Sequence, residues 1–133
     1  MEKTKVLLVD DEIDLILIMG KRIKGWGYDL LEALNGKEAL LAVESKHPDI
    51  VILDYMMPDM DGITTLKEIR KVNKNIPVIM FTAFPDKKSI EDTESLGVSA
   101  YIPKLSMFPA SESSLKTALK MAEKGLKKGD VSL

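Results

Sequence analysis

The 133-residue sequence has no cysteine, which excludes disulfide bridges and thiolate metal sites and fits a reducing, cytoplasmic location. Its apolar runs are far shorter than the roughly 20 residues that a membrane-spanning helix needs. The formal net charge is only −2, so charge alone does not predict a direct nucleic-acid contact. Glycine-rich phosphate loops, zinc-ligand spacing and Ser/His triads are also lacking.

What remains is typical of one globular domain. Apolar residues make up 45% of the chain and charged residues 30%, both in the normal range. The length also suits a single domain. We expect this domain to occupy residues 1–126, and residues 127–133 to form a polar C-terminal tail.

Strand-like and helix-like patterns alternate along the chain. Short apolar runs predict five strands: Val6–Val9, Tyr28–Glu32, Ile50–Leu53, Val78–Phe81 and Ala100–Ile102. Helical periodicity predicts helices between and after them: Glu12–Lys24, Lys37–Ser45, Gly62–Val72, Ser89–Leu96 and Ser113–Leu126. This alternation predicts an α/β fold in which helices cover both faces of a parallel sheet.

Polar and charged side chains follow four of the predicted strands. Asp10 and Asp11 come after the first, Asp54 after the third, Thr82 after the fourth and Lys104 shortly after the fifth. Ligands of open parallel sheets bind where the carboxyl ends of the strands meet. The sequence therefore predicts one acidic pocket with a cation beside it.

The chemistry of such a pocket favours a metal and a phosphoryl group. Neighbouring carboxylates repel one another unless a cation lies among them, and oxygen ligands in an open site suit Mg²⁺. A carboxylate can also act as a nucleophile and become an aspartyl-phosphate, with Lys104 holding a phosphate oxygen. Taken singly, each residue has a structural alternative: Asp10 and Asp11 as a helix cap and first-turn acid, the others as turn or surface residues.

The ordered set of these residues resembles the receiver domain of two-component response regulators over residues 4–126. The resemblance rests on the acidic pair, on the stretch from Asp54 to Gly62 (Asp-Tyr-Met-Met-Pro-Asp-Met-Asp-Gly), and on Thr82-Ala83, Gly97, Tyr101 and Lys104. It implies a flavodoxin-like, doubly wound, five-stranded parallel sheet with strand order 2-1-3-4-5.

The resemblance also implies a role for each site residue. Asp54 matches the phosphorylated aspartate, and Lys104 and Thr82 match the residues that contact its phosphoryl group. Thr82 and Tyr101 match the pair that switches on phosphorylation. The expected Mg²⁺ ligands are Asp10 (through water), Asp11, Asp54 and the backbone carbonyl of Met56.

The implied function is phosphoryl acceptance rather than enzymatic turnover, because such a domain catalyses only its own phosphorylation and dephosphorylation. The expected donor is a histidine kinase or a histidine phosphotransfer protein. The expected output is a downstream protein or an attached output domain, with the chain a monomer or a weak, phosphorylation-dependent dimer.

The first helix is unusually apolar, and in this family it docks the phosphodonor. Its predicted buried face comprises Leu15, Ile18, Met19 and Ile23. The remaining apolar residues are predicted to form an exposed patch that would bind the donor: Ile13, Ile16 and Leu17, together with Phe108.

Two features depart from the family or tune the site. Leu105 stands where a proline usually follows the lysine, so a cis bond there would cost about 2.5–4 kcal/mol. Met56 and Phe84 are apolar residues expected at the pocket rim, where they would shield an aspartyl-phosphate from water. The alternative is that they only pack on each other.

Two other functions compete with the phosphoryl switch. An aspartate-based phosphohydrolase would need a general acid two residues after its nucleophile, where this chain has Met56. A phosphorylation-independent binding module would keep the fold without the switch, and the departure at Leu105 leaves that reading open.

Overall fold

The computed structural model describes residues 3–57, 60–83, 87–104 and 108–131, and within the last helix the side chains of residues 111–126. The strands are β1 (Lys5–Val9), β2 (Asp29–Ala33), β3 (Ile50–Leu53), β4 (Val78–Thr82) and β5 (Ala100–Pro103). The helices are α1 (Ile13–Gly25), α2 (Gly36–Lys46), α3 (Gly62–Val72), α4 (Lys87–Ser95) and α5 (Phe108–Val131).

The strands form one parallel sheet in the order β2-β1-β3-β4-β5, which confirms the predicted fold class and strand order. β1 lies centrally, with Leu7 opposite Leu31 of β2 and Val51 of β3. Residues of β3 and β4 are buried throughout, because helices cover both faces of the sheet. This burial explains why those strands are continuous apolar runs in the sequence.

Successive residues of a strand point to opposite faces, so the sheet divides the core in two. Val6 and Leu8 of β1 face the core that α1 and α5 cover. Leu7 and Val9 face the core that α2 and α3 cover. The two cores hold the carboxyl ends of the strands in a fixed arrangement. We call this edge of the sheet, which carries Asp10, Asp54 and Lys104, the functional edge.

Most element boundaries fall within two residues of those predicted. The main exception is α5, which begins at Phe108 and ends at Val131 rather than spanning Ser113–Leu126. Its helical backbone therefore continues through residues 127–131 of the segment expected to be a polar tail. No helix among the described residues is long and apolar enough to cross a membrane.

The buried face of α1 differs from the predicted one. It comprises Ile16, Met19, Gly20 and Ile23. Placing Ile16 in an exposed docking patch is therefore wrong, since it is only 3% exposed, whereas Ile18 is 46% exposed. The cause is Gly20, which packs so closely on β2 that an added Cβ would lie 2.9 Å from the Leu30 side chain. A pattern of apolar side chains does not count glycine toward the buried face.

Candidate functional site

Sheet hydrogen bonding continues past the strand ends and positions the polar residues there. The backbone N–H of Asp10 donates to β2 and that of Asp54 to β1, each at an N···O distance of 3.1 Å. The N–H of Lys104 donates to the carbonyl of Thr82 at 2.6 Å. The sequence-predicted residues therefore meet at one edge, as expected for parallel strands.

Lys104 lies between two buried carboxylates. Its Nζ is 2.5 Å from Asp10 Oδ2 and 3.4 Å from Asp54 Oδ2, and its side chain is 10% exposed. Burial by itself would lower the pKa of the Lys104 ammonium, but the charges of Asp10, Asp54 and Glu12 outweigh it and the pKa is raised. Lys104 therefore remains a cation at neutral pH.

Asp54 is the carboxylate that burial affects most. The residue is 4% exposed, and this burial raises its pKa from 3.8 to about 6. Lys104 and the backbone N–H of Met56 act in the opposite direction, while the charge of Asp10 adds to the increase. A carboxylate that burial disfavours in its charged form is also more basic and more weakly hydrated, which suits a nucleophile.

Three carboxylates at this edge can share one cation. Asp10, Asp11 and Asp54 each offer an oxygen, and these oxygens lie within 4.8 Å of one another. Asp10 and Asp54 are buried and Asp11 is exposed, so the cluster is open to solvent on one side. Such an arrangement fits Mg²⁺, which takes few carboxylates and keeps several waters.

The turn after Asp54 is fixed by a glycine. The N–H of Gly62 donates to the carbonyl of Tyr55 at 2.7 Å, and a Cβ on Gly62 would lie 2.5 Å from the carbonyl oxygen of Asp54. Asp61 caps α3 by accepting from the N–H of Thr64 at 2.8 Å. Inside the turn, the N–H of Met56 approaches Asp54 Oδ1 at 3.4 Å, which orients the carboxylate.

The predicted switch residues flank the other side of the pocket. Thr82 ends β4 and is fully buried. Tyr101 in β5 is half-buried, and its hydroxyl lies 2.7 Å from the Oγ of Ser89 in α4. This hydrogen bond links β5 to α4, a contact that the sequence pattern does not predict.

Sequence reasoning misses two further residues, Glu12 beside Lys104 and Arg70 at the opposite edge of the sheet. Glu12 directly follows the acidic pair, and its Oε1 lies 3.9 Å from Lys104 Nζ. Arg70 in α3 donates to the carbonyls of Leu96 and Gly97, just after α4, at 2.8 and 3.1 Å. The position of Glu12 directly after Asp11 could have placed it near the acidic pocket. Nothing in the sequence around Arg70 indicates its contacts.

The remaining predicted residues lie at the rim of the pocket, on the surface of α1 or outside the described residues. Met56 is 51% exposed, consistent with a place at the rim, and Ile13 and Leu17 of the docking patch are each 61% exposed. Phe84, Leu105 and the side chain of Phe108 lie outside the described residues. The predictions about shielding by Phe84, the bond before Leu105 and docking by Phe108 therefore stay predictions.

Comparison with known proteins identifies the family. The sequence profile described as "Response regulator receiver domain" matches residues 6–120. This chain is a member of the response regulator receiver domain family. It is similar to the probable transcriptional regulator ycf27 of Porphyridium aerugineum, with 36% identity over 124 residues. The match covers 93% of this chain but 51% of that protein, so the receiver chain spans about half the length of this curated relative.

Solved structures support the same assignment. The signal receiver domain of a putative LuxO repressor protein from Vibrio parahaemolyticus superposes with a TM-score of 0.87 and 26% identity, covering 98% of this chain and 97% of that one. A structure of a CheX-CheY-BeF₃-Mg²⁺ complex from Borrelia burgdorferi matches with a TM-score of 0.78 and 29% identity, covering 86% and 85%. The receiver fold therefore extends over nearly the whole chain.

Proposed function

We propose that this receiver domain accepts a phosphoryl group on Asp54 in a Mg²⁺-dependent reaction, and that the donor is a phosphohistidine of a histidine kinase or phosphotransfer protein. The observation that carries the proposal is the placement of Lys104, with its Nζ 3.4 Å from Asp54 Oδ2. A fixed cation beside the nucleophile provides the charge stabilisation that phosphoryl transfer needs.

The proposed step is an in-line displacement at phosphorus. An oxygen of Asp54 attacks, the nitrogen–phosphorus bond of the donor breaks, and its electron pair stays on the imidazole nitrogen. Lys104 holds an oxygen of the transferred group, and the Thr82 hydroxyl donates to another oxygen. A bound Mg²⁺ would neutralise phosphoryl charge, with Asp11 and Asp54 as its carboxylate ligands, Asp10 acting through water, and the carbonyl of Met56 as a further ligand.

Phosphorylation is proposed to reach the protein surface through Thr82 and Tyr101. Thr82 would move its hydroxyl toward the phosphoryl oxygens, which vacates space beside β5. Tyr101 would then turn inward and give up its hydrogen bond to Ser89. That bond joins β5 to α4 at 2.7 Å, so its loss would alter the α4 surface that a downstream protein or output domain reads.

Docking of the donor is proposed to use the first turns of α1. Ile13 and Leu17 are four residues apart and each 61% exposed, so they lie on one side of the helix. Ile18, at 46% exposed, extends this apolar surface in place of the buried Ile16. The surface lies next to the acidic pair that precedes α1, as transfer to Asp54 requires.

The site favours acceptance over turnover. A phosphohydrolase would need an acidic group two residues after its nucleophile, but Met56 stands there and half of its surface is exposed. Met56 cannot act as a general acid or base, so this position does not supply the proton transfer that a phosphohydrolase uses. We therefore propose that the domain catalyses only its own phosphorylation and dephosphorylation.

Intact-mass analysis with acetyl phosphate and Mg²⁺ tests the proposal. We expect the mass of one phosphoryl group on the wild type, and none on Asp54→Asn or after chelation of the metal. Asp61→Asn is the matched control, because Asp61 is a cap of α3 and lies outside the metal cluster. Failure of the wild type both to gain mass and to bind beryllofluoride would refute phosphoryl acceptance.

A further inference from the structure

Glu12 is an acidic residue at the mouth of the pocket, and among the described residues its side chain forms no hydrogen bond that would stabilise α1. It occupies the N-cap position of α1 but makes no side-chain capping hydrogen bond. Its backbone makes the local hydrogen bonds instead: the N–H donates to Asp10 Oδ1 at 3.0 Å, and the carbonyl accepts from the N–H of Ile16 at 3.1 Å. The carboxylate is therefore available for another purpose.

That carboxylate faces Lys104 from the solvent side. Its Oε1 lies 3.9 Å from Lys104 Nζ, and the side chain is 63% exposed. Among the described residues, Asp10 and Asp54 also have a carboxylate oxygen within 4 Å of this ammonium, and their side chains are 1% and 5% exposed. Lys104 thus has two buried anions on its inner side and one exposed anion toward the entrance.

In-line attack places the leaving group opposite Asp54, on the entrance side of the phosphoryl group. A negative charge at the entrance repels a leaving group that becomes an anion. It attracts one that carries or shares a positive charge. Acyl phosphates such as acetyl phosphate release acetate, whereas N-phosphorylated donors present a protonated nitrogen that leaves as a neutral amine or imidazole.

We propose that Glu12 makes this site selective for N-phosphorylated donors over acyl phosphates. The inference rests on phosphoryl acceptance at Asp54. Glu12 acts as a specificity-determining residue, because its charge stabilises the leaving nitrogen of phosphoramidate or phosphohistidine and opposes the departing acetate. The Coulomb interaction between two charges a few ångströms apart near water corresponds to about a five-fold change in the rate of phosphorylation. Salt should weaken this interaction.

The test compares two small donors on the same protein. Rates of mass gain are measured with phosphoramidate and with acetyl phosphate at saturating Mg²⁺, for the wild type and for Glu12→Gln. We expect Glu12→Gln to lower the ratio of the phosphoramidate rate to the acetyl phosphate rate by about five- to twenty-fold at low ionic strength, and by less at high ionic strength. Any change in metal affinity affects both donors alike and cancels in the ratio.

Asp14→Asn is the matched control. Asp14 is an exposed acid in the first turn of α1, so its loss changes the net charge equally without removing the exposed Glu12 carboxylate beside Lys104. In Asp14→Asn, the ratio of the phosphoramidate rate to the acetyl phosphate rate should stay within two-fold of the wild-type ratio. An equal ratio in Glu12→Gln and wild type, or an equal shift in both variants, would overturn the selectivity while leaving phosphoryl acceptance intact. A wild type that takes phosphate from neither donor would overturn both.

Discussion

Helices α3 and α4 follow neighbouring strands and flank the same pocket, yet they are held in different ways. α3 buries Leu66 and Ile69 completely, whereas the buried residues of α4 are Ser89 and Thr93. Burying one large aliphatic side chain contributes about 1.5–3 kcal/mol, while a hydrogen bond contributes about 0.5–1.5 kcal/mol net. α3 is therefore fixed to the core, and α4 depends on contacts that can be exchanged.

The two ends of α4 also differ. Leu96 and Val98, just beyond its last residue, pack against the core, and Arg70 binds the carbonyls of Leu96 and Gly97. Near its start, a hydrogen bond between Ser89 and Tyr101 joins α4 to the sheet. We therefore expect the α3 side to hold Asp54 in place and the start of α4 to respond to phosphorylation.

The largest expected effect is on the α3 side. Leu66→Ala removes a fully buried side chain and should lower the free energy of unfolding by about 2–5 kcal/mol. Thr93→Ala in α4, at an equally buried position, removes a hydroxyl that bonds within its own helix and should cost about 1 kcal/mol. Urea denaturation measures both, and equal losses would remove the contrast between the helices.

The second-largest effect is the pH dependence of stability that comes from the buried carboxylate of Asp54. The pKa of Asp54 is about 6 in the folded chain, against an ordinary value of 3.8. Between these values the folded protein binds a proton that the unfolded protein lacks, so this group's contribution to stability falls as pH rises from 4 through 6. The full shift corresponds to about 3 kcal/mol at most.

Urea denaturation in EDTA between pH 4 and 8 checks this dependence. Asp54→Asn should gain stability over the wild type as pH rises through 6, and the difference should level off above pH 7. If the difference in free energy of unfolding between Asp54→Asn and the wild type does not change with pH, then burial does not destabilise the charged form of Asp54. Mg²⁺ should reduce the difference, because the metal stabilises the carboxylate.

Removal of the Arg70 guanidinium tests the anchored end of α4. Arg70→Met keeps the length of the side chain but leaves the carbonyls of Ile76, Leu96 and Gly97 without this donor, so it should cost about 1–3 kcal/mol. Lys71→Met, next in sequence, loses an exposed ion pair with Glu68 and should cost less than about 1 kcal/mol. Similar losses would mean that Arg70 does not anchor α4.

The smallest effect is at the start of α4. Ser89→Ala and Tyr101→Phe each remove one hydroxyl of the 2.7 Å hydrogen bond and should each cost about 0.5–1.5 kcal/mol. Because both remove the same contact, the double variant should cost less than the sum. Strict additivity in urea denaturation would show that the two hydroxyls act independently.

Sequence reasoning recovers the sheet and the inner part of the site, since these follow from local patterns. Runs such as Ile50–Leu53 mark strands, and parallel order then brings Asp10, Asp54 and Lys104 to one edge. The apolar pattern of α1 wrongly predicts that Ile16 is exposed, because Gly20 packs closely on β2 without a side chain of its own. When a glycine lies on the buried face of a helix, a prediction from apolar residues alone places that face on the wrong side.

The contacts that sequence reasoning misses join residues far apart in the chain. Arg70 and Leu96 are 26 positions apart, and Ser89 and Tyr101 are 12 apart. Each of these residues is ordinary for its helix or strand, and only the docking of α4 brings the partners together. Glu12 is similar, since its distance from Lys104 depends on how the Lys104 side chain, just after β5, reaches across the sheet edge to the acidic residues that follow β1.

Hydrogen exchange read by mass spectrometry tests the central claim most directly, because the same sample reports phosphoryl occupancy. The wild type and Asp54→Asn are compared with Mg²⁺ and acetyl phosphate. Phosphorylation at Asp54 should change exchange in the first turn of α4 and in β5 around Tyr101, while α3 amides keep their protection. Equal changes in α3 and α4, or a phosphorylated protein with no change in either, would contradict the account.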